Sequence, residues 1–223
     1  MKLTAKDLGK NFIRKRKDTN IMCAVNPLSL EFEPGSLNVI TGRSGSGKST
    51  LLNMLAGILM PSSGCVYYDE TDIYGLNDDK LSVFRNEHTG FIPQGKSAVF
   101  SLTVLENVLM PDMLYGRDSK DRALALMEQF DILELRDVMP RELSGGELRR
   151  MAIARALVGA PDIIFADEPT GDLDDDNTER VLRALRSEAD RGAIVVMVTH
   201  ETAAAAYSDR LCRMNTGVLS EET

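Results

Sequence analysis

Residues 42–50 read Gly42-Arg43-Ser44-Gly45-Ser46-Gly47-Lys48-Ser49-Thr50. They fit the spacing G-x-x-x-x-G-K-[ST], and each residue type has a chemical reason. Glycines let the backbone turn with its N–H groups pointing inward, which makes an anion nest. A helix starting near Lys48 adds the positive end of its dipole. Lys48 supplies a flexible point charge for β- and γ-phosphates, and the Ser49 hydroxyl is placed to ligate Mg²⁺. The whole run, with Arg43, Ser44, Ser46 and Thr50, is the candidate phosphate site. Its flanks agree. Leu37 to Ile40 reads as a strand, and Lys48 to Leu59 reads as a helix with Leu51, Leu52, Met54, Leu55, Ile58 and Leu59 at helical spacing. A chance match in a chain of this length is on the order of 1%.

Working outward, Ile163–Ala166 and Ile194–Val198 are apolar without alternation. Both faces of such strands should be buried, as in a parallel sheet covered by helices. Glu179 to Ala189 places Val181, Leu182 and Leu185 on one stripe of a helix. Strands alternating with helices imply an α/β fold. Residues 1 to about 40 and about 64 to 74 carry strand-like pieces broken by turns, which suits an antiparallel sheet. Thr103 to about Leu157 is rich in Leu, Met, Glu and Arg and reads as a helical insertion. No repeat or long linker is evident, so a single domain is expected.

Two further stretches carry chemistry. Ile163-Ile164-Phe165-Ala166 runs into Asp167 and Glu168. In open α/β sheets ligands sit beyond the carboxyl ends of strands. Asp167 should therefore lie near the phosphates and reach Mg²⁺. Alternation should turn Glu168 elsewhere, where it can orient or deprotonate an attacking water. Leu143-Ser144-Gly145-Gly146-Glu147 precedes a helix over Leu148 to Val158. Ser144 and Glu147 form a capping box. A cap does not need two glycines, however, and Ser144, Gly145 and Gly146 at a helix N-terminus also make a second anion site. One triphosphate is already held by the first loop, so this second site should complete one on another protomer.

Composition sets the outer limits. The chain has 223 residues, 26 Lys+Arg against 34 Asp+Glu, and a formal net charge of −8. A chain this long buries roughly 72% of its surface, so it needs no staples. The acidic balance argues against a broad nucleic-acid-binding face, but not against one local phosphate site. Cys23, Cys65 and Cys212 show no C-x-x-C spacing and read as three partly buried thiols of a reducing compartment. The N-terminal stretch lacks the apolar core of a signal peptide. No apolar run approaches the ~18 residues of a membrane span.

With these residues in hand, the chain resembles the ATP-binding cassette (ABC) family, the nucleotide-binding subunits of ABC transporters. The 42–50 loop resembles Walker A, Leu143–Glu147 the signature motif, and Asp167 and Glu168 the Walker B aspartate and catalytic glutamate. The resemblance runs over nearly the whole chain in the family's order. It implies further roles. Gln94 resembles the Q-loop glutamine that touches Mg²⁺ and the attacking water. Asp172, in Gly171-Asp172-Leu173-Asp174, resembles the D-loop residue that crosses the dimer interface. His200 resembles the switch histidine on the γ-phosphate. Phe12 lies where the family stacks an aromatic on adenine, with Phe32 as an alternative. Three positions depart from the family's usual residues: Pro93 before Gln94, where Phe is frequent, Leu148 after Glu147, where Gln is frequent, and Asp172, where some relatives have Asn or Ala.

The resemblance implies an α/β P-loop NTPase fold with a mixed sheet, an N-terminal antiparallel β subdomain and an inserted helical subdomain. It divides the single domain 1–223 into a nucleotide-binding core over about 1–90 and 160–223 and a helical part over about 91–159. It also implies ATP and Mg²⁺, with a homodimer or a pairing with a related cassette in the ATP-bound state. Each ATP would lie between Lys48 and Ser49 of one copy and Ser144 and Gly146 of the other. A separate integral membrane permease is implied, which places the chain in the cytoplasm, peripheral on the inner face of the membrane. No nucleic acid is expected. The most similar types are the lipoprotein-releasing and macrolide-exporter cassettes, with the cell-division cassette also similar, so export or extraction is the expected direction. Ser97 to Met113, with Phe100, is the expected permease contact. The basic run Lys10, Arg14, Lys15, Arg16 and Lys17 reads as a solvated loop. Competing readings are a soluble cassette ATPase of translation or DNA repair, a P-loop kinase, and a regulatory module that binds ATP without hydrolysing it.

Overall fold

The computed structural model describes residues 1–14, 20–95, 97–171 and 173–222. Two sheets organise the chain. Strands β1 (Leu3–Arg14), β2 (Asn20–Phe32), β4 (Ser63–Tyr68) and β5 (Thr71–Asp72) form an antiparallel sheet in the order β2-β1-β4-β5. The second sheet has the order β10-β9-β3-β8-β7-β6. Its members are β3 (Leu37–Thr41), β6 (Thr89–Ile92), β7 (Ile163–Asp167), β8 (Ile194–Thr199), β9 (Arg210–Asn215) and β10 (Val218–Glu221). All its neighbours run parallel except the β9–β10 pair. The expected mixed α/β architecture with an N-terminal antiparallel sheet is therefore present.

The strands that do not alternate in sequence are buried along their whole length, β7 and β8 completely. The reason is that the sheet separates two apolar cores. On one face Val39, Ile164, Ala166, Val195 and Met197 pack with the helices that connect β6 to β7 and β7 to β8. On the other, Ile40, Phe165, Val196 and Val198 pack with the helix after β3 and with Leu3, Leu8, Val25, Phe32 and Val66 of the antiparallel sheet. Period-2 geometry sends successive residues to opposite cores, so every position of β7 and β8 is apolar except the last, Asp167 and Thr199.

Helix α1 spans Lys48–Leu55, one turn shorter than the apolar spacing suggests. Gly57 takes φ +66°, the left-handed conformation that ends helices. Ile58, expected on the buried stripe, is 51% exposed as a result. The helical region between β6 and β7 resolves into α3 (Val104–Met113), α4 (Lys120–Gln129) and α5 (Gly145–Leu157). Thr103 and Glu106 close a capping box at the start of α3. Helix α6 (Asp175–Asp190) buries Val181, Leu182 and Leu185 as its stripe requires. Its acidic start has a local cause: Asp174 caps the Asn177 amide, and Asp175 and Asp176 face the positive end of the dipole.

Two elements leave little trace in the apolar pattern. Helix α2 (Asp78–His88) buries only Leu81 and is announced by its cap, Asn77 accepting from the Lys80 amide. The β9–β10 hairpin is short, and half of its strand residues are polar. Of the cysteines, Cys65 and Cys212 are at least partly buried, but Cys23 is exposed, and all three are free. Cys23 was expected to be partly buried. It lies on β2 at the mouth of a cleft, and its thiol donates to the Asn26 side chain.

Candidate nucleotide site

The loop after β3 turns sharply into α1. Gly42, Gly45 and Gly47 have φ of +153°, +78° and +106°. The need for glycine is tertiary as well as local. A side chain at Gly42 would strike the Met214 carbonyl, and one at Gly47 would strike the Ala24 carbonyl. The antiparallel sheet and the β9–β10 hairpin thus press against the underside of the loop, and the Gly217 amide ties the hairpin to Ser46 O at 2.9 Å.

Lys48 is 7% exposed, and its ammonium donates to the carbonyls of Gly42 (2.7 Å) and Arg43 (3.3 Å). It also stands 3.9 Å from a Glu168 carboxylate oxygen. The other Glu168 oxygen lies 2.9 Å from His200 Nδ1 and accepts the His200 amide at 3.2 Å. Glu168 therefore links the phosphate-loop lysine to the histidine that follows β8. The Ser49 hydroxyl donates to Asp167 at 3.0 Å. Asp167 is 4% exposed. Burial raises its carboxyl above the usual range; the Ser49 hydrogen bond opposes this, the Glu168 charge adds to it, and Arg149 and Lys48 oppose it again.

Lys48, Ser49, Glu168 and His200 share one cleft of about 730 Å³. Its lining includes Phe12, Arg43, Ser44, Gly45, Gly47, Lys48, Ser49, Thr50, Gln94, Glu168 and His200. Residues far apart in sequence are thus brought together as expected. Phe12 lines the cleft from β1, whereas Phe32 is 2% exposed and belongs to the core. Met22, Cys23, Ala24, Thr216 and Gly217 complete the same wall, a contribution that sequence reasoning missed. The Ser46 hydroxyl is buried and has no hydrogen-bond partner among the described residues, so the loop holds an unspent polar group.

Glu168 reaches the cleft by a different route from simple alternation. Strand β7 ends at Asp167, and Glu168 takes φ +49°. Its amide still donates to Val198 O at 2.9 Å, and its carbonyl accepts from Gly171 at 3.2 Å. The left-handed turn, rather than the pleat, aims its carboxylate.

The signature segment stands apart. Ser144 caps α5: its hydroxyl and amide both donate to Glu147 at 2.7 Å, and the Glu147 amide returns to the hydroxyl at 3.3 Å. These bonds lower the Glu147 carboxyl below the usual range, the hydroxyl contributing most. Gly145 and Gly146 are ordinary helical residues with no left-handed turn, so the second anion site is a helix N-terminus and not a curled nest. Ser144 and Gly145 are exposed, and no atom lies within 4 Å of where a Gly145 side chain would begin. Gly145 lines a neighbouring cavity of about 380 Å³ with Gln94, Glu168 and His200. Ser144 and Gly146 line neither cavity. Asp172 and the basic residues Lys15, Arg16 and Lys17 lie outside the described residues. Lys10 is in β1 rather than a loop, and its ammonium donates to Met60 O.

Ser49 Oγ and Asp167 suit Mg²⁺ on the chemistry of their donors. They are two hard oxygens side by side, and Mg²⁺ usually takes one or two protein ligands and fills the rest with phosphates and water. No cluster of three or more His, Cys, Asp or Glu fit to hold a metal occurs among the described residues.

A parallel sheet with a glycine loop, lysine and acidic strand end at its carboxyl edge defines a P-loop nucleotide-binding protein. The sequence profile of the ABC transporter family matches residues 25–171. The lipoprotein-releasing system ATP-binding protein LolD of Colwellia psychrerythraea is 40% identical over 216 residues, covering 95% of this chain and 83% of that one. The macrolide export ATP-binding/permease protein MacB of Syntrophobacter fumaroxidans is 37% identical over 88% of this chain, which spans 28% of MacB. The dimeric ATP-binding cassette MJ0796, in a post-hydrolysis state bound to ADP and Pi, superposes with a TM-score of 0.91 at 32% identity. That match covers 99% of this chain and 98% of MJ0796. The chain belongs to the ABC transporter family, as an ATP-binding cassette. None of its described helices is long and apolar enough to cross a membrane.

Proposed function

We propose that this cassette hydrolyses ATP as a dimer around two Mg·ATP and drives a separate membrane permease. The observation that carries the reading is the single cleft in which Lys48, Ser49, Glu168, His200 and Gln94 meet at the glycine loop, with Asp167 bonded to Ser49 behind its wall. The loop amides and Lys48 bind the triphosphate, Phe12 stacks on the base, and Ser49 and Asp167 hold Mg²⁺. When bound, Mg²⁺ neutralises charge on the phosphate oxygens. Glu168 orients water for in-line attack, and His200 and Gln94 contact the γ-phosphate. Positioning and electrostatics then supply most of the rate, because phosphoryl transfer leaves little covalent work to the protein. The exposed Ser144–Gly146 end of α5, with Asp172, completes the site of a second copy. That copy is identical or a related cassette.

The test is Mg²⁺-dependent ATP hydrolysis by the purified chain, with Asp167→Asn as the diagnostic variant. A carboxyl whose folded pKa is raised penalises the fold once it ionises. The penalty is full above the folded pKa and is relieved as pH falls toward the ordinary 3.8. Asp167→Asn is therefore expected to melt higher than the natural chain at neutral pH, with the difference shrinking in acid. It should also need more Mg²⁺ for half-maximal turnover. An unchanged Mg²⁺ requirement would remove Asp167 from the metal site.

The permease contact is assigned to an apolar groove of about 310 Å³ lined by Ile58, Phe91, Met110, Pro111, Leu114 and Tyr115, among others. Leu114 is 72% exposed there. Phe100 is 44% exposed but does not line this groove, so the apolar stretch expected from sequence contributes mainly Met110 and Pro111. Leu114→Asp is expected to abolish co-purification with the permease while leaving ATP affinity unchanged; retained binding would place the contact elsewhere. In the same reading the helical part, about 91–159, shares this contact with Ile58 and with Arg85 and Asn86 of α2. The chain is cytoplasmic and held at the membrane through the permease. The lipoprotein-releasing and macrolide-export relatives favour export or extraction of a lipoprotein, peptide or drug-like cargo.

A further inference from the structure

Arg149 lies in α5, one turn beyond the cap formed by Ser144, and is 8% exposed. Its guanidinium reaches four main-chain carbonyls on two separate segments. Nη1 donates to Pro93 O at 2.5 Å, Nε to Pro169 O at 3.0 Å, and Nη2 to Asp167 O at 2.9 Å and to Glu168 O. Each of these oxygens belongs to a site residue or its immediate neighbour. Pro93 precedes Gln94, Asp167 pairs with Ser49, and Glu168 pairs with Lys48 and His200. A planar fork of five donors can hold oxygens in three directions at once, which a lysine cannot. Something must hold this turn, because φ +49° is a conformation that a residue with a side chain disfavours.

We propose that Arg149 is a positioning residue for hydrolysis: it locks the Gln94 loop and the Glu168 turn to the start of the signature helix, so that the three respond as one unit. This rests on the assignment of Glu168 to water activation made above. Arg149 lines the neighbouring cavity with Gln94, Gly145, Glu168 and His200, but not the phosphate cleft. Its loss should therefore act on the chemical step and spare nucleotide binding.

The experiment compares Arg149→Met and Arg149→Lys with the natural 223-residue chain in Mg·ATP hydrolysis. It adds Gln94→Ala and the Gln94→Ala/Arg149→Met double variant. Arg149→Met is expected to lower kcat by about 10²-fold, the cost of an ångström-scale misplacement, with KM little changed. Arg149→Lys keeps the charge but not the fork and should recover only part of the loss. If the two loops move through Arg149, the double variant loses less than the product of the single losses. A purely structural arginine would lower the melting temperature and leave the kinetic losses multiplicative. Turnover within about twofold of the natural chain in either folded Arg149 variant, a KM rise without a kcat loss, or a multiplicative cycle would overturn the proposal. Arg149→Lys and its double variant with Gln94→Ala decide the matter should Arg149→Met fail to fold. Glu168→Gln separates the two readings. If it hydrolyses normally, the Glu168 assignment fails; if it is inert while Arg149→Met is normal, only the Arg149 proposal fails.

Discussion

Replacing Glu168 by glutamine is expected to lower ATP turnover by about 10³-fold while allowing an ATP-bound dimer to accumulate. The substitution preserves size and shape. The turn at φ +49° and its bonds from the Glu168 amide to Val198 O and from Gly171 N to Glu168 O involve only the main chain. The side chain can still accept the His200 amide, now at 3.2 Å from the carboxylate. What is lost is the negative charge that orients and deprotonates water. What is gained is less repulsion between residue 168 and the γ-phosphate, which favours the bound state. Single-turnover phosphate release measures the first effect, and size exclusion with and without ATP measures the second. Natural turnover in this variant would sink the assignment.

Lys48→Met is the second large effect, and it falls on binding. Methionine keeps the unbranched stem that lies buried in the loop, so packing changes little. The ammonium now donates to Gly42 O and Arg43 O and faces Glu168. These are contacts that phosphate oxygens can replace. A hydrogen bond to a charged group contributes about 1.5–3 kcal/mol, so losing Lys48 should weaken ATP binding by roughly 10- to 150-fold. Direct titration with a fluorescent ATP analogue reads this without requiring turnover. An affinity within a factor of about two of the natural chain would show that the loop amides alone bind the triphosphate.

The legibility of this protein in its sequence follows the range of the interactions involved. Gly42 to Thr50 could be read because left-handed turns, a following helix and a lysine are local requirements. The core strands were readable because burial on both faces removes alternation from β7 and β8. Helix α2 was missed because only one of its residues is buried, and the signal that remained was the Asn77 cap with two acids in the first turn. The extra turn expected for α1 failed because Gly57 outweighed two favourably spaced apolar residues. Alternation misdirected the argument for Glu168 because the strand ends at Asp167 and Glu168 itself takes the left-handed conformation.

By itself, then, the sequence determined the α/β class, the phosphate loop, the acidic strand end and the capped signature helix, since each is written in residues a few positions apart. The tertiary structure alone decided how these parts meet. It set the carbonyls of Ala24 and Met214 against Gly47 and Gly42, chose Phe12 over Phe32 for the cleft wall, and ran one guanidinium from α5 to carbonyls 18 to 56 residues away. The physical reason is that such contacts depend on how the two sheets and the helices pack, and packing at that range leaves no period or spacing in the chain for a reader to find.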